Sequence, residues 1–374
     1  MRLAEIHRLP MAHPGDLSAL EAFIADGTVD PARILAVMGK TEGNGGVNDF
    51  TRGYFGQTLM ALLGRHLGRE PALLAREIPC VFSGGTEGVL SPHFLVLCQS
   101  ESPDRSPRGG ALAMGVAFSE PVPAEHIGRR AHIESVAAAV RRAIERAAIE
   151  DPAQVHFVQV KCPCVTAPRA QAALARGQAP LTNDSRRSMA YARAAGALGV
   201  ALALGDIKPA QIKEDSALLD FSLYSSRASI SSGVEVDCNE VIVFGHSPHW
   251  TGPLRIAHRP MRDALDIGAV FGVLADVGIV AAPQVAPDDA ARIAGVLVKC
   301  EPDRRGLVRG YRHTMLDDTD IDAQRHIRGA LGGLVASVVG DGRVFVSGGA
   351  EHQGPDGGGL IAVIARRATD TAAS

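Results

Sequence analysis

Aromatic residues are scarce in this 374-residue chain, with one Trp and four Tyr. A protein that binds single-stranded nucleic acid needs ring faces on which bases stack. The net charge of −3 supplies no basic surface for phosphates either, so nucleic acid is not an expected partner. Long apolar runs are also missing. The best candidate, Ala264 to Ala282, is interrupted by Asp266 and Asp276, which argues against a transmembrane helix and a membrane partner. Met1 to His7 contains no apolar signal core, so the expected location is the cytoplasm. The six cysteines include no C-x-x-C pair; they read as reduced thiols rather than a disulfide framework. Cys162 and Cys164 read as small buried residues rather than nucleophiles. There is no G-x-S-x-G elbow, no S-x-x-K, no Walker loop and no G-x-G-x-x-G after a strand. The 13 His are scattered, and the nearest pair, His246 and His249, brackets Pro248 and reads as loop rather than zinc site.

Lysine is the most informative scarcity. Of 38 basic residues only Lys40, Lys161, Lys208, Lys213 and Lys299 are lysines. A preference for Arg replaces surface lysines freely, whereas only Lys can give up its proton near neutral pH. Lys208 and Lys213 lie in a polar stretch and read as surface. The other three each end an apolar run that reads as a buried strand: Ile34 to Lys40, Val155 to Lys161 and Ile293 to Lys299. They are 121 and 138 residues apart, a domain-scale repeat.

The segment downstream of each lysine repeats too. An Arg-led helix of small residues runs to a Gly 12 residues later: Arg52 to Gly64, Arg193 to Gly205 and Arg328 to Gly340, with the Gly expected as C-cap. Then comes a strand ending in Ser, with Glu four residues on: Ser83 to Glu87, Ser231 to Glu235 and Ser347 to Glu351. The shared pattern is Ser-Gly/Ser-Gly-x-Glu. The 46% hydrophobic content suits a soluble globular chain, and the length suits two or three domains. Three units are expected, 1–104, 111–249 and 255–374, with boundaries in the polar stretches Glu101 to Gly110 and His246 to Arg259. Packing gives polar residues at apolar strand ends no reason to persist in three copies, which argues against a duplicated fold with decayed sites.

A hydroxyl beside a lysine amine is a nucleophile–base pairing. Burial and neighbouring cations lower a lysine pKa, and backbone N–H groups at the Ser-Gly turns suit an oxyanion. Three Arg and three Lys facing one cavity predict a small, multi-carbonyl, anionic substrate and acyl transfer at an amide or imide. The loop Glu351 to Gly359 reads equally well as a plain glycine-rich turn or as a carbonyl-lined site for a hard cation.

At these residues the chain resembles the cyanuric acid hydrolase and barbiturase family. The likeness is carried by Val37 to Asp49, Ser83 to His93, His156 to Pro163, Arg312 to Leu316 and Ser347 to Pro355, and it extends over nearly the whole chain. It implies an α/β fold of three similar units around a pseudo-threefold axis, with strands forming a central barrel-like core, helices outside and one active site where the units meet. It also implies ring opening of a cyclic imide without a catalytic metal, in s-triazine breakdown. In the cyanuric acid branch the product is carboxybiuret, which loses CO2 to give biuret. The family's nucleophile maps onto Ser231 and its base onto Lys161. Substrate contacts map onto Arg52, Ser83, Gly84, Arg193, Ser232, Arg328, Ser347 and Gly348, with Lys40 and Lys299 orienting Ser83 and Ser347. A structural Mg or Ca ion maps onto Glu301, Ala350, Gln353, Gly354, Pro355 and Gly358; no cofactor is implied for catalysis. A homotetramer is implied as well. Ser232 departs from the Gly of the other two units, so the turn there is expected to differ.

Cyanuric acid is itself threefold symmetric, and three intact Lys/Arg/Ser sets favour it over barbituric acid, which would be opened to ureidomalonic acid. A non-catalytic small-molecule binding protein is the alternative from another class. The flanking residues offer a reason for one nucleophile among three. Residues two apart on a strand share a face, so Glu42 and Glu301 are expected to keep Lys40 and Lys299 charged. Lys161, with Cys-Pro-Cys after it, is expected to have the most depressed pKa.

Overall fold

The computed structural model describes residues 1–103 and 110–368. The three lysine-terminated apolar runs are strands, and around each the chain lays down the same order of elements. The first unit comprises β1 (Arg2–Pro10), α1 (Ser18–Ala25), β2 (Ile34–Lys40), α2 (Phe50–Leu67), β3 (Cys80–Ser83) and β4 (His93–Glu101). The second comprises β5 (Leu112–Pro121), α3 (Arg130–Arg146), β6 (Val155–Pro163), α4 (Ser185–Leu204), β7 (Ala228–Gly233) and β8 (Cys238–His246). The third comprises β9 (Leu254–Met261), α5 (Ile267–Asp276), β10 (Ile293–Cys300), α6 (Ala323–Val339), β11 (Phe345–Gly348) and β12 (Gly359–Arg366).

Each unit builds a mixed sheet in the same strand order: β3-β2-β4-β1, β7-β6-β8-β5 and β11-β10-β12-β9. The lysine strand is central and is buried on both faces, which is why it reads as a continuous apolar run rather than an alternating one. Along β2, Ala36 and Met38 enter a core shared by all three sheets, while Ile34 and Val37 enter a second core beneath α2. In the third unit Leu297 joins the shared core, and Val296 and Val298 pack under α5 and α6. The shared core also takes Met114, Phe157 and Phe244 from the second sheet and Ile256 and Phe345 from the third. The barrel-like centre is thus an apolar junction of three separate sheets; among the described residues no sheet closes into a barrel.

The boundary stretch His246 to Arg259 is ordered rather than a loose linker. Trp250 within it is fully buried, donates from its indole N–H to Ala147 O at 2.7 Å, and pairs in parallel with β1. Residues 104–109 of the other expected boundary, and 369–374 of the third unit, lie outside the described residues.

The three Arg-bearing helices start earlier than expected, and one of them ends later. They begin before the arginine, each under an Asp cap: Asp49 accepts from Thr51 N at 3.1 Å, Asp184 from Arg187 N at 2.6 Å and Asp322 from Gln324 N at 2.9 Å. An Asp side chain satisfies one of the orphan N–H groups of the first turn. Gly205 and Gly340 are left-handed C-caps as expected, but α2 runs past Gly64 and is capped by Gly68 at φ 61°. Gly64 is needed for another reason: a Cβ there would meet Arg69 O at 2.8 Å.

Candidate active site

Strand register places the chemistry. In the parallel pairs β2/β3, β6/β7 and β10/β11, Lys40 lies opposite Ser83, Lys161 opposite Ser231 and Lys299 opposite Ser347. The strands end where the three units meet, around a cavity of about 40 Å3. Arg52, Ser83, Gly84, Lys161, Arg193, Ser231, Ser232, Arg328, Ser347 and Gly348 all line it, so the expected nucleophile, base and substrate contacts are brought together. Gly45, Phe82 and Met189 also line it, and nothing in the sequence singled them out. The cavity shares Gly45, Met189, Arg193, Arg328 and Gly348 with a wider outer cavity of about 490 Å3. Lys40 and Lys299 are fully buried behind the serines, while Lys208 and Lys213 are exposed.

The units are fastened to one another in a cycle. Arg52 of the first unit donates to Glu235 of the second at 2.8 Å. Arg193 of the second grips Glu351 of the third at 2.8 and 2.6 Å. Arg328 of the third grips Glu87 of the first at 2.9 and 2.6 Å. The lysines run the opposite way round. Lys161 donates to Phe82 O of the first unit at 3.2 Å, Lys40 to Val346 O of the third at 2.6 Å, and Lys299 to Ile230 O of the second. Each accepting carbonyl belongs to the residue just before the neighbour's serine. The three Glu are the partners of the cavity arginines, a part the sequence reading missed; their constant position four residues after each Ser was the available signal.

Within this cycle the second unit breaks the symmetry. Lys40 also donates to Ser83 Oγ at 3.1 Å and Gly84 O at 2.8 Å, and Lys299 to Ser347 Oγ at 2.9 Å and Gly348 O at 2.8 Å. Lys161 instead places its ammonium 2.6 Å from Glu235 Oε1. Ser231 Oγ lies 3.5 Å from Ser347 Oγ. Ser232, the departure from Gly, donates to Met189 O at 3.1 Å. At the matching place in the first unit a side chain would force Asp49 to move, because a Cβ on Gly84 would lie 1.7 Å from Asp49 Oδ2.

The expected electrostatics need correction. Glu42 is exposed, in a left-handed conformation at φ 57°, and pairs with nothing near Lys40. Glu301 is buried, but the carboxylate that acts on Lys299 is Glu351. Burial lowers all three lysine pKa values, and arginines lower them further: Arg328 at Lys40, Arg52 at Lys161 and Arg193 at Lys299. Lys40 falls well below its ordinary value and Lys299 falls to about 7. Lys161 falls too, but it is the one lysine opposed by a carboxylate in contact. The expectation that Lys161 lacks a compensating carboxylate is therefore overturned; its partner is four residues past Ser231, not two past the lysine. Burial would raise Glu235, but Lys161 and Arg52 outweigh it and hold the carboxyl at about 2.

Cys162 and Cys164 are buried, and burial pushes both thiols up, Cys164 to about 11; neither suits a thiolate nucleophile. His249 pairs with Glu150 at 2.9 Å, away from His246. Among the described residues no three His, Cys, Asp or Glu are grouped to hold a metal ion. The expected structural site is of another kind, one carboxylate with main-chain carbonyls. Glu301 is 4% exposed, its nearest cation is Arg304 at 3.7 Å, and its main chain meets the loop through Gly358 O at 3.4 Å. Burial and Glu351 hold the Glu301 carboxyl above the ordinary range. Gln353 uses its side-chain oxygen on Ile230 N at 2.6 Å, so it has only its main-chain carbonyl to offer a cation.

Comparison with known proteins bears on the family and the fold. The family model described as amidohydrolase ring-opening protein matches residues 5–366. A cyanuric acid amidohydrolase of Bradyrhizobium sp. (strain ORS 375) is 49% identical over 370 residues, covering 98% of this chain and 99% of that one. One of Methylobacterium sp. (strain 4-46) is 51% identical over 368 residues, covering 98% of each. A solved cyanuric acid hydrolase structure superposes with a TM-score of 0.94 at 47% identity, and one from A. caulinodans with 0.90 at 48%. Each covers 98% of this chain and 100% of the solved one.

Proposed function

The chain belongs to the ring-opening amidohydrolase family, and from that premise we propose that it opens the ring of cyanuric acid, with Ser231 as nucleophile and Lys161 as base. The observation that carries the choice of pair is the contact between Lys161 and Glu235. A nucleophile and its base are commonly completed by a third group that orients the base, and only Lys161 has such a carboxylate in contact. Ser83 and Ser347 instead accept from their own lysines. Their hydroxyl hydrogens make only long contacts, Ser83 to Gly84 O at 3.3 Å and Ser347 against Ser231 Oγ at 3.5 Å, and can turn from these to ring carbonyls, which suits substrate holding.

Ser231 Oγ attacks a ring carbonyl carbon and its proton passes to Lys161. The ring C–N bond breaks as Lys161 returns that proton to the leaving nitrogen. Water then hydrolyses the acyl-serine, giving carboxybiuret, which loses CO2 to form biuret. Backbone N–H groups at the Ser-Gly turns and the three arginines stabilise the oxyanion and the remaining carbonyls. Glu301 and the carbonyls of Ala350, Gln353, Gly354, Pro355 and Gly358 would hold a structural ion, as an all-oxygen set of the kind that suits Mg or Ca. Such an ion would neutralise a buried carboxylate and brace the loop behind Ser347.

The test is incubation with cyanuric and barbituric acids, with products identified by mass. Biuret from cyanuric acid, at a much higher kcat/KM than any turnover of barbituric acid, is expected. Preference for barbituric acid, giving ureidomalonic acid, would refute the substrate assignment, and turnover of neither ring would refute the activity.

A further inference from the structure

A second cavity, of about 470 Å3, lies between the first and third units, lined by parts of β1, the start of β10 and the turn after α6. Its size is that of a small-molecule site. Four arginines face it: Arg8, Arg292, Arg343 and Arg366. Arg8 and Arg343 share one carboxylate, Asp341, at 3.1 and 2.7 Å, and Arg292 pairs with Asp289. Arg366 has no carboxylate partner among the described residues. Four guanidiniums against the two carboxylates that pair with them leave a surplus of two positive charges, which Glu5, near enough to act on His7, offsets in part. Arg8 is only 10% exposed, so part of that charge is held out of water, at a cost that a bound anion would offset.

His7 supplies a second, independent sign. His7 also borders the cavity, and its Nε2, which has almost no surface open to water, lacks a hydrogen-bond partner, so a turn of the ring is what would bring that atom to an acceptor there. Burial keeps the ring neutral, able to donate one hydrogen bond to an acceptor. The remaining wall is apolar, with Ile6, Leu9, Phe23 and Ile293. The fold alone does not demand this charge. The corresponding turn of the first unit, Pro31–Arg33, borders a cavity of about 300 Å3 whose two charged lining residues, Arg69 and Glu77, neutralise each other.

We infer that the cavity between the first and third units is a second binding site, for a small organic dianion with an apolar body, separate from the ring-opening site. The arginine surplus takes the two acidic groups, the His7 ring turns to donate from Nε2 to one of them, and the apolar wall packs the body. The inference is independent of which ring the enzyme opens.

Calorimetric titration with phthalate, a flat ring bearing two carboxylates, tests it. One phthalate per chain is expected to bind. Arg366→Gln is expected to weaken binding about tenfold, as loss of one charge-assisted contact does. Ala291→Trp, which fills the cavity from its rim, is expected to abolish binding, and both variants are expected to retain turnover. No heat at millimolar phthalate, binding unchanged in both variants, or sulfate binding as tightly as phthalate would overturn the inference.

Discussion

At Lys161, burial pulls the pKa down while two carboxylates, Glu235 in contact and Glu240 beyond it, pull it up, and the residue-scale predictions rest on that balance. Ser231→Ala and Lys161→Ala should each lower kcat about a thousandfold or more, as removal of a nucleophile or its base does, in protein that remains folded. Ser83→Ala and Ser347→Ala should leave measurable turnover with raised KM. A trapped acyl adduct at Ser83 or Ser347, with Ser231 unmodified, would refute the assignment. Glu235 acts through Lys161 and is a positioning residue. Glu235→Gln removes the carboxylate that raises the Lys161 pKa, so the acid limb of kcat/KM should move to lower pH while kcat falls. An unmoved limb would reduce Glu235 to a structural role. The lysines, arginines and serines were legible in the sequence because strand ends and fixed spacing expose them. Their carboxylate partners were not, since Glu235 reaches Lys161 across a turn, and adjacency along a strand pointed to Glu42 and Glu301 instead.

Strands and helices were legible where burial is uniform. The lysine strands lie under shared apolar cores on both faces, so their sequence carries a plain hydrophobic run. The helix starts were less so, because Asp49, Asp184 and Asp322 cap three, nine and six residues before the arginines, and no common spacing marks them. Gly64 and Gly68 are both plausible stops, and only the close approach of Arg69 O separates them. Gly68→Ala should destabilise by about 1 kcal/mol, the ordinary cost of a side chain at a left-handed cap. Gly84→Ala should do more damage to turnover than to melting temperature, because its Cβ would displace Asp49 beside Ser83. Equal activity in Gly84→Ala and wild type would argue against that tight approach. At the loop Ala350 to Gly358, brief chelation should leave kcat intact and lower the melting temperature, since an ion that binds only the folded state stabilises it. Loss of turnover by folded, chelated enzyme, with recovery on adding metal, would make the ion catalytic.

Across the whole molecule the three junctions are alike in backbone and unlike in chemistry. Where the second unit meets the third, His156 Nδ1 and His258 Nδ1 lie 3.1 Å apart and the His246 ring packs on His156 at 4.5 Å. Burial lowers all three from 6.5 to about 4, and mutual repulsion adds to it at His246 and His258. A histidine with a depressed folded pKa contributes stability that is present above the unfolded value and lost as pH falls. The melting temperature should therefore drop between about pH 6.5 and about pH 4, and His258→Leu should flatten that slope. Buried His93 and His132, also near 4, act in the same direction. An unchanged slope in His258→Leu would assign the acid sensitivity to the other buried histidines. The repeat itself was legible because its period is long and its motifs recur in order, whereas the cyclic fastening appears only when the units close. That fastening has a hereditary consequence. No unit owns a complete carbonyl-holding station, since each arginine is steered by its neighbour's glutamate. A substitution in one third of the chain is thus felt in another third, and is expected to be tolerated best as one of a matched pair. Reversing Arg193 and Glu351 together should restore more function than either change alone allows, which would make the three ancestral copies co-tenants that can no longer diverge separately.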